Sequence, residues 1–490
     1  MLLSIRTQRV LLLLSLLFAL SAGFALAQHP VLDGYVMEGL ERNIGLQQQH
    51  LAVAQQQQAL TEAEALYRPS LALDARFSRA GGGRTIDFPV GQLLNPVYDA
   101  LNQQRVAVGL DPAFPTIADE QINFLRTQEQ ETKLRVVQPI YQPSIRPNIR
   151  LHGHLMGAAE AALATSQHEL VATIKTAYFD YLKAERLVEI LTATGALVDE
   201  NVRVNESLAR NGKVTQDAVY RARTDQYDLA QQQAEAAKNR DLAASYFNYL
   251  LARPFETPIE RISERDLFPE AQPDLEPANV RLGSSTDDLA YTALSQRTEL
   301  AQLDAAIQAA GEQVALTDAH YLPSVALVAD YGIQGRGYGL GGDNDFWMGS
   351  VVLSWNLFDG FQRRAKRQRA RLGQQQIEAQ RRDTEQQIRL HVQEAFDNVR
   401  VAEDALTTAD ARLISAQQTF RLVQRKYQEG MANQVEYIDA RTALTNAELN
   451  RAITRYDYLS RSARLERALG EVQGSNAQRA LGARTSSLEP

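Results

Sequence analysis

The chain has 490 residues, a net charge of -8 and no cysteine. The absence of thiols excludes disulfides, thiolate metal sites and a lipid-bearing N-terminal cysteine, so we expect no lipid anchor. The acidic balance argues against nucleic acid as a partner, and 44% apolar residues with few Gly and Pro favour long helices.

The first 27 residues have the pattern of a secretory signal peptide. Arg6 and Arg9 precede an apolar run that ends near Leu20, and small residues follow at 25–27. The run is too short for a membrane-spanning helix, and no later stretch reaches 18 uninterrupted apolar residues. We therefore expect an exported protein without an α-helical membrane anchor.

Four segments alternate apolar and polar residues with the period of two that is typical of β-strands. They cover about residues 69–79, 132–141, 323–333 and 347–358. The alternation suits strands that face lipid on one side and water on the other. Trp347 and Trp355 fall on the last segment, where we expect them to mark the two interfacial belts of a membrane.

Four strands cannot enclose a lumen, and an open sheet edge is untenable in lipid. Three chains would supply about twelve strands, so we infer a shared barrel in a homotrimer that contacts membrane lipid. The connection at about 80–130 holds a glycine triplet and four prolines and is too long for a simple hairpin. We interpret it as an outward loop that folds over the mouth.

Two long helical stretches each lead to an isolated glycine. Over 388–427, apolar residues recur at spacings of three and four, the pattern of a coiled-coil seam. When Gly212 is aligned with Gly430, the corresponding positions of the earlier stretch are apolar as well, except for Gly195 and Asn205. Because each seam resumes beyond its glycine, we predict a tandem repeat of two coiled-coil hairpins with tips at Gly212 and Gly430.

These patterns divide the chain into five parts. They are a signal peptide at 1–27, a first repeat at 28–255, a linker or equatorial segment at 256–290, a second repeat at 291–470 and a flexible tail at 471–490. Each repeat holds two of the predicted strands and one hairpin. The expected fold class is therefore an α+β membrane protein.

Several segments, in this order, resemble the TolC-type outer-membrane efflux proteins, the channel component of tripartite export systems. They are RTELAQLDAAI at 297–307, AHYLPSVALVADYG at 319–332, WNLFDGFQRRA at 355–365, QEGMANQVEYIDART at 428–442, RYDYL at 455–459 and RALG at 467–470. The resemblance covers about residues 35–470.

This resemblance implies a trimer with a twelve-stranded β-barrel in the outer membrane of a Gram-negative bacterium. The barrel would continue as a twelve-helix α-barrel through the periplasm. It would receive substrates from an inner-membrane pump through a periplasmic adaptor, in efflux or in type I secretion. Drug efflux, protein secretion and metal export share such a conduit, so the resemblance leaves the substrate open.

The resemblance also places two acids at the periplasmic entrance. Glu436 and Asp439 match positions whose carboxylates ring the constriction in several members. Being three apart, they share a helix face, and six carboxylates in a narrow pore would attract cations and repel one another. The alternative is that Glu436 completes a capping box with Asn433 and that Asp439 is a solvated first-turn acid.

The hairpin tips are the expected docking sites for the adaptor. The candidate residues are Gly212, Val214, Thr215, Gly430, Ala432 and Asn433, which turn chemistry alone also explains, with Thr215 and Asn433 as helix caps. Arg210 and Arg425 are candidates for interhelical salt bridges that hold the entrance shut, or they are solvated arginines.

An enzyme is not indicated, and we expect no catalytic residue, cofactor or metal. His152 and His154 are two residues apart, which does not bring both to one helix face, and no HExxH or triad-like grouping occurs. The alternative function is that of a periplasmic coiled-coil adaptor or scaffold. Such a protein would have one hairpin between glycine-rich halves, whereas this chain has two hairpins and four amphipathic strands.

Overall fold

The computed structural model describes residues 29–268, 285–337 and 344–470. The predicted signal peptide at 1–27, the tail at 471–490 and part of the linker predicted at 256–290 lie outside these residues. The chain divides into two compact units. The first takes the chain up to Ala59, His152–Gly311 and the chain from Leu372, and the second takes Leu60–Leu151 and Glu312–Arg371.

Helices dominate the described residues. In chain order the elements are α1 (Pro30–Arg42), α2 (Ile44–Ala65), β1 (Ser70–Arg79), β2 (Thr85–Phe88), α3 (Val90–Ala107), β3 (Glu120–Asn123), β4 (Gln128–Tyr141), α4 (Ile145–Arg210), α5 (Gln216–Leu250), α6 (Glu264–Leu267), α7 (Thr286–Gln296), α8 (Thr298–Ala319), β5 (Ser324–Gly335), β6 (Asp345–Ser354), α9 (Gln362–Gln428) and α10 (Gln434–Leu469). None of the helices in the described ranges is long and apolar enough to cross a membrane.

The first unit is built from the long helices, and its largest core lies where α1, α4, α5 and α10 meet. Tyr178 and Phe247 are fully buried there, with ring centroids 5.5 Å apart. The Tyr178 hydroxyl donates to the Glu260 carbonyl at 2.9 Å and accepts from the Ile262 amide at 3.1 Å. The segment that follows α5 is therefore bonded across the helices of the core.

An ion-pair network joins the start of α8 to the end of α10. Glu299 accepts from Arg297 and from Arg467, each at 2.7 Å, and Arg467 also pairs with Glu169 at 2.9 Å. Burial alone would raise the pKa of Glu299, but the two arginines outweigh it and lower the pKa to about 2. The ionised carboxylate is therefore strongly favoured in the folded chain.

The second unit contains a four-stranded antiparallel sheet in the order β1-β4-β5-β6. The sequence predicts strands at about 69–79, 132–141, 323–333 and 347–358. The observed β6 starts and ends earlier than the last of these. The prediction that Trp355 lies on it is wrong. Ser354 pairs with Ser324 at the end of the ladder, and the preceding Pro323 has no N–H with which to continue it.

Trp355 instead lies one residue beyond β6, where its indole nitrogen donates to the Tyr321 carbonyl at 3.1 Å. Trp347 is on β6 and is 82% exposed. The role of both side chains at a membrane interface stays a prediction.

The two faces of the sheet differ in polarity. In the antiparallel register, Leu73, Leu134, Tyr331 and Trp347 form one row across all four strands, and all four are exposed. On the opposite face Arg135 pairs with Asp330 at 2.8 and 2.9 Å, and Lys133 with Glu131 at 2.6 Å. One face is thus apolar and the other carries ion pairs.

The connection between β1 and β4 is more than the loop that was expected. Residues 80–127, named here the insert, hold β2, α3 and β3, with β2 and β3 paired antiparallel. The insert leaves the sheet at the Arg79–Gln128 pair, whereas the strand ends near α2 and α4 meet at the Ser70–Val137 pair. It therefore lies at the end of the β1/β4 ladder that is remote from those helix ends.

We predict that Glu299→Gln flattens the acid side of the stability profile. The folded pKa of about 2 lies below the ordinary 4.5, so the carboxylate contributes stability above pH 4.5 that is lost as the pH falls towards 2. Thermal midpoints measured between pH 2 and 7 should fall less steeply in the variant, which starts from a lower midpoint at neutral pH. Glu235→Gln, at an exposed carboxylate, is the control and should keep the wild-type profile. Parallel profiles for wild type and Glu299→Gln would contradict the assignment.

Candidate functional site at the hairpin tips

Both hairpins turn at a glycine in the left-handed region. Gly212 and Gly430 have φ of 66° and 74°. At the second tip, the amides of Gly430 and Met431 donate to the carbonyls of Tyr427 and Lys426 at 3.1 and 2.7 Å. This pair of bonds closes the last turn of α9 in a geometry that glycine adopts without steric cost. The first tip has the equivalent bonds from Gly212 and Lys213.

The two returning helices are capped differently. Asn433 caps α10, because its side chain accepts from the Glu436 amide at 2.9 Å. Thr215 occupies the N-cap position of α5 but makes no capping bond, and its hydroxyl instead donates to the Asp217 carboxylate. The expectation that Thr215 caps through its side chain is therefore wrong, because a nearer carboxylate competes for the hydroxyl.

The predicted gate acids are exposed on the first two turns of α10. Neither the Glu436 nor the Asp439 carboxylate has a hydrogen bond or ion pair within the described residues. Tyr437 and Ala440 of the same helix are buried. The structure thus shows half of the predicted capping box, the Asn433 bond, and leaves both carboxylates free to face solvent. Their role at an entrance stays a prediction.

Arg210 and Arg425 are exposed, and within the described residues neither pairs with a carboxylate of its own chain. Salt bridges from these arginines to another subunit stay a prediction. Val214 and Ala432 are half-buried at the tips, next to exposed Gly212 and Gly430. These four tip residues lie in the turns, and within the described residues no further contact assigns them a role.

A buried ion pair, which the sequence did not suggest, joins the two hairpins. Arg441 of α10 is 4% exposed and donates to Asp225 of α5 at 2.7 Å. Burial raises the pKa of Asp225 above its ordinary value, although Arg441 acts in the opposite direction. The Arg441 Nε and one Asp225 oxygen have no hydrogen-bond partner within the described residues. Each of the two buried charges is therefore stabilised by the other.

Further polar and aromatic contacts hold the tips together. Buried Asn205 of α4 bonds Tyr427 of α9 at 3.3 Å, and the Tyr427 ring stacks on Tyr437 at 4.8 Å. The Gln434 side chain donates to the Ala218 carbonyl at 2.8 Å. Each helix of one hairpin is thus bonded to a helix of the other, which fixes their relative position.

One of these residues had a signal in the sequence. Asn205 interrupts an otherwise apolar seam, and a polar residue at such a position commonly specifies the register of packed helices. Arg441 and Asp225 have no signal in the sequence, because charged residues on long helices are usually solvated. Only the packing of the helices shows that these two are buried.

The comparisons with known proteins agree on one family. Residues 289–471 match the family model described as outer membrane efflux protein. The chain is 23% identical to outer membrane protein TolC of Escherichia coli K12 over 374 residues, which is 71% of each protein. It is 24% identical to that of Vibrio cholerae over 351 residues, 68% of this chain and 75% of the relative.

Solved structures have the same fold. The CmeC outer membrane channel of Campylobacter jejuni superimposes with a TM-score of 0.71 at 16% identity, covering 94% of this chain and 90% of that one. The outer-membrane channel OprN gives a TM-score of 0.70 at 17% identity and 91% coverage of both chains.

We predict that Arg441→Met loosens the contact between the hairpins by about 3–5 kcal/mol, because it leaves a buried Asp225 carboxylate without its counter-charge. Amide hydrogen exchange in 216–225 and 434–445 should speed up accordingly. The matched control is Arg223→Met, at the position of the first hairpin that corresponds to Arg441. Its ion pair with Glu206 is half-exposed, so its loss should cost about 0–1 kcal/mol.

The companion variant Arg441→Met/Asp225→Leu removes both charges and should recover much of the protection. Equal exchange in Arg441→Met and Arg223→Met would show that the buried pair does not hold the tips.

Proposed function

We infer that the chain belongs to the TolC-type family of outer-membrane efflux proteins, and we propose that three copies form the outer-membrane channel of a tripartite efflux or type I secretion system. It is an outer-membrane protein of Gram-negative bacteria that extends into the periplasm. The relatives are channel proteins and not enzymes. The channel would pass substrates delivered by an inner-membrane pump and a periplasmic adaptor.

The observation that carries this proposal is the open, two-faced sheet. Within the described residues β1 and β6 each pair along one side only, so each has a free edge. The strands have 10 to 14 residues, which fits the 9 to 11 or so that a tilted strand needs to cross a bilayer. Unpaired edges are not tolerated in lipid. Pairing β6 of one chain with β1 of the next closes a barrel of twelve strands from three chains.

The polarity of the faces supports the same arrangement. The exposed apolar row of Leu73, Leu134, Tyr331 and Trp347 suits lipid contact. The ion pairs of Arg135 and Lys133 lie on the other face, where a water-filled lumen would solvate them. This sidedness also argues against a periplasmic adaptor, because a soluble protein would have no use for a four-stranded sheet with an exposed apolar face.

The long helices support the periplasmic part of the channel. Each chain contributes two hairpins, so three chains supply twelve helices. A helix of 66 or 67 residues measures about 100 Å at 1.5 Å per residue.

The helix lengths also support the tandem repeat. Helices α2 and α8 both have 22 residues, and α5 and α10 have 35 and 36. Helices α2 and α8 begin at Ile44 and Thr298, and helices α5 and α10 begin at Gln216 and Gln434. The first two starting residues are separated by more of the chain than the second two. The insert in the first copy accounts for the difference.

At the tips, we propose that Glu436 and Asp439 ring the periplasmic entrance and that the glycine turns dock the adaptor. Both carboxylates are exposed and unpaired within the described residues, so they are free to face a pore and to attract cations. Three chains would place six carboxylates around the entrance.

The channel proposal is tested by the sidedness of the sheet. Val351→Arg places a charge on the apolar face and should reduce insertion and trimer yield, at a cost of about 2–4 kcal/mol if it lies near the bilayer midplane. The matched control is the neighbouring Ser350→Arg on the polar face, which should assemble normally. Native mass spectrometry of the detergent-extracted protein counts the chains. A stable single chain, or equal assembly of both variants, would overturn the proposed barrel.

The gate is tested by ion selectivity. We predict that Glu436→Gln/Asp439→Asn lowers the cation preference of the channel, because the entrance loses six negative charges. The reversal potential in planar bilayers under a KCl gradient measures this preference. Glu429→Gln, an exposed acid on the α9 side of the same tip, is the control. If the double variant leaves both cation preference and opening unchanged, the acidic ring is disproved while the barrel proposal stands.

A further inference from the structure

Helix α3 of the insert packs through polar residues and leaves apolar ones exposed. The positions that contact the rest of the insert are Gly91, Asn95, Tyr98, Asn102 and Arg105, spaced four and three apart and less exposed than their neighbours. A separate stripe holds Val90, Leu94, Val97 and Leu101; Val90 is half-buried and the other three are 37% to 52% exposed. A helix on a soluble domain normally does the opposite.

The polar side of α3 is fully engaged with the returning segment 111–119. Asn95 donates to the Ile117 carbonyl at 2.9 Å and accepts from its amide at 2.8 Å. Asn102 makes the equivalent bonds with Phe114 at 2.8 and 3.0 Å. Asp119 accepts from the amides of Gly91 and Gln92 and so caps the start of the helix. The polar face of α3 is therefore covered by segment 111–119, whereas most of the apolar stripe is exposed.

The insert lacks the buried apolar side chains that ordinarily stabilise a helix. Between 81 and 127 Gly91 is the single buried residue, so the segment has almost no apolar core of its own. An 18-residue helix is marginal in water without tertiary packing. Something must therefore cover the leucine and valine stripe, and a lipid surface or other copies of this chain are the two available occupants.

The composition of α3 argues against lipid. A helix that lies in a membrane interface carries Lys and Arg on its polar face and Trp, Phe or Leu on its apolar face. Helix α3 has no Lys, Trp or Phe, and its one cation, Arg105, donates to the Asp111 carbonyl at 3.0 Å. The insert as a whole has five acids and three arginines, so anionic headgroups would be repelled.

The spacing of the stripe suits helix packing instead. Val90, Leu94, Val97 and Leu101 follow at intervals of four, three and four, which places both leucines at a positions and both valines at d positions of a heptad. In parallel coiled coils, Leu at a with a β-branched Ile at d disfavours two strands and favours three or four. Copies related by a threefold axis are parallel, so the pattern matches the symmetry of the proposed trimer.

The position of the insert fits this symmetry too. It is attached to β1, an edge strand that in the proposed barrel forms the seam with the next chain. It leaves from the end of the ladder remote from α2 and α4, which is the extracellular end of such a barrel.

We propose that the α3 helices of three chains pack against one another along Val90, Leu94, Val97 and Leu101 and form a cap over the extracellular mouth. This inference rests on the proposed trimer. The partner of the stripe is the same stripe in the other two copies, and no further protein is needed to bury it. The cap gives the long connection of the first repeat its function.

Disulfide trapping tests the cap directly, because the chain has no cysteine of its own. Val97→Cys replaces a side chain of the stripe with one of similar size. After oxidation of the purified trimer with copper phenanthroline, two of the three chains should be linked, so that non-reducing gels show a two-chain band and a residual single chain. Leu94→Cys should behave alike. Gln103→Cys, exposed on a side of α3 away from the stripe, is the matched control and should give several-fold less product.

The outcomes separate this inference from the channel proposal. If native mass spectrometry finds no trimer before oxidation, the proposed channel fails and the cap fails with it. If the trimer is intact but Val97→Cys links no better than Gln103→Cys, the cap alone is overturned. A nitroxide attached to the thiol of the Val97→Cys variant in nanodiscs tests the alternative that the stripe contacts lipid. Greater relaxation by oxygen than by a water-soluble nickel complex would assign the stripe to lipid and overturn the cap.

Discussion

The two edge strands of the sheet, β1 and β6, each have backbone groups that need hydrogen-bond partners. In water, the free edges of β1 and β6 would be satisfied by solvent, but the apolar face of the same sheet suits lipid, where no solvent is available. A single chain cannot meet both demands. The proposed closure by copies of the chain would meet them, and it would also set the number of helices around the proposed periplasmic lumen.

The two halves of a duplicated chain must also pack against each other in a single register. Several buried or half-buried ion pairs have one partner in each half: Asp225 with Arg441, Lys175 with Glu466 and Lys183 with Asp457. None of these pairs is preserved when the halves exchange roles; the counterparts of Lys183 and Asp457, for example, are Val401 and Asn239. With the two tip glycines aligned, the counterparts of Asp225 and Arg441 are Ala443 and Arg223, and those of Lys175 and Glu466 are Gln393 and Asn248. The charges thus favour one pairing of the two repeats, which is a use of buried ion pairs that their modest net stability allows.

The sequence predicted the elements better than their contacts. The glycine turns at Gly212 and Gly430 and the four strands of the sheet followed from local periodicity and backbone chemistry. Trp355 was misplaced because a strand ends where its partner does, and the effect of Pro323 on the ladder depends on register. The glycines and prolines of the insert predict a loop, and the helix α3 among them has no clear signal in the sequence. Arg441 and Asp225 were missed because burial of a charge is decided by packing and not by spacing.

The two ends of the proposed channel carry different kinds of side chain, and this difference has a consequence for the proposed gating. The hairpin tips carry exposed carboxylates at Glu436 and Asp439 and a buried ion pair at Arg441, so interactions there are sensitive to cations and to the charge of a docked partner. At the mouth, the stripe around Leu94 and Val97 is apolar and responds little to salt or pH. In the proposed channel, charge and a docked partner would control the periplasmic end, whereas the proposed cap would open when something competes for its apolar seam. An apolar substrate arriving through the lumen would be such a competitor.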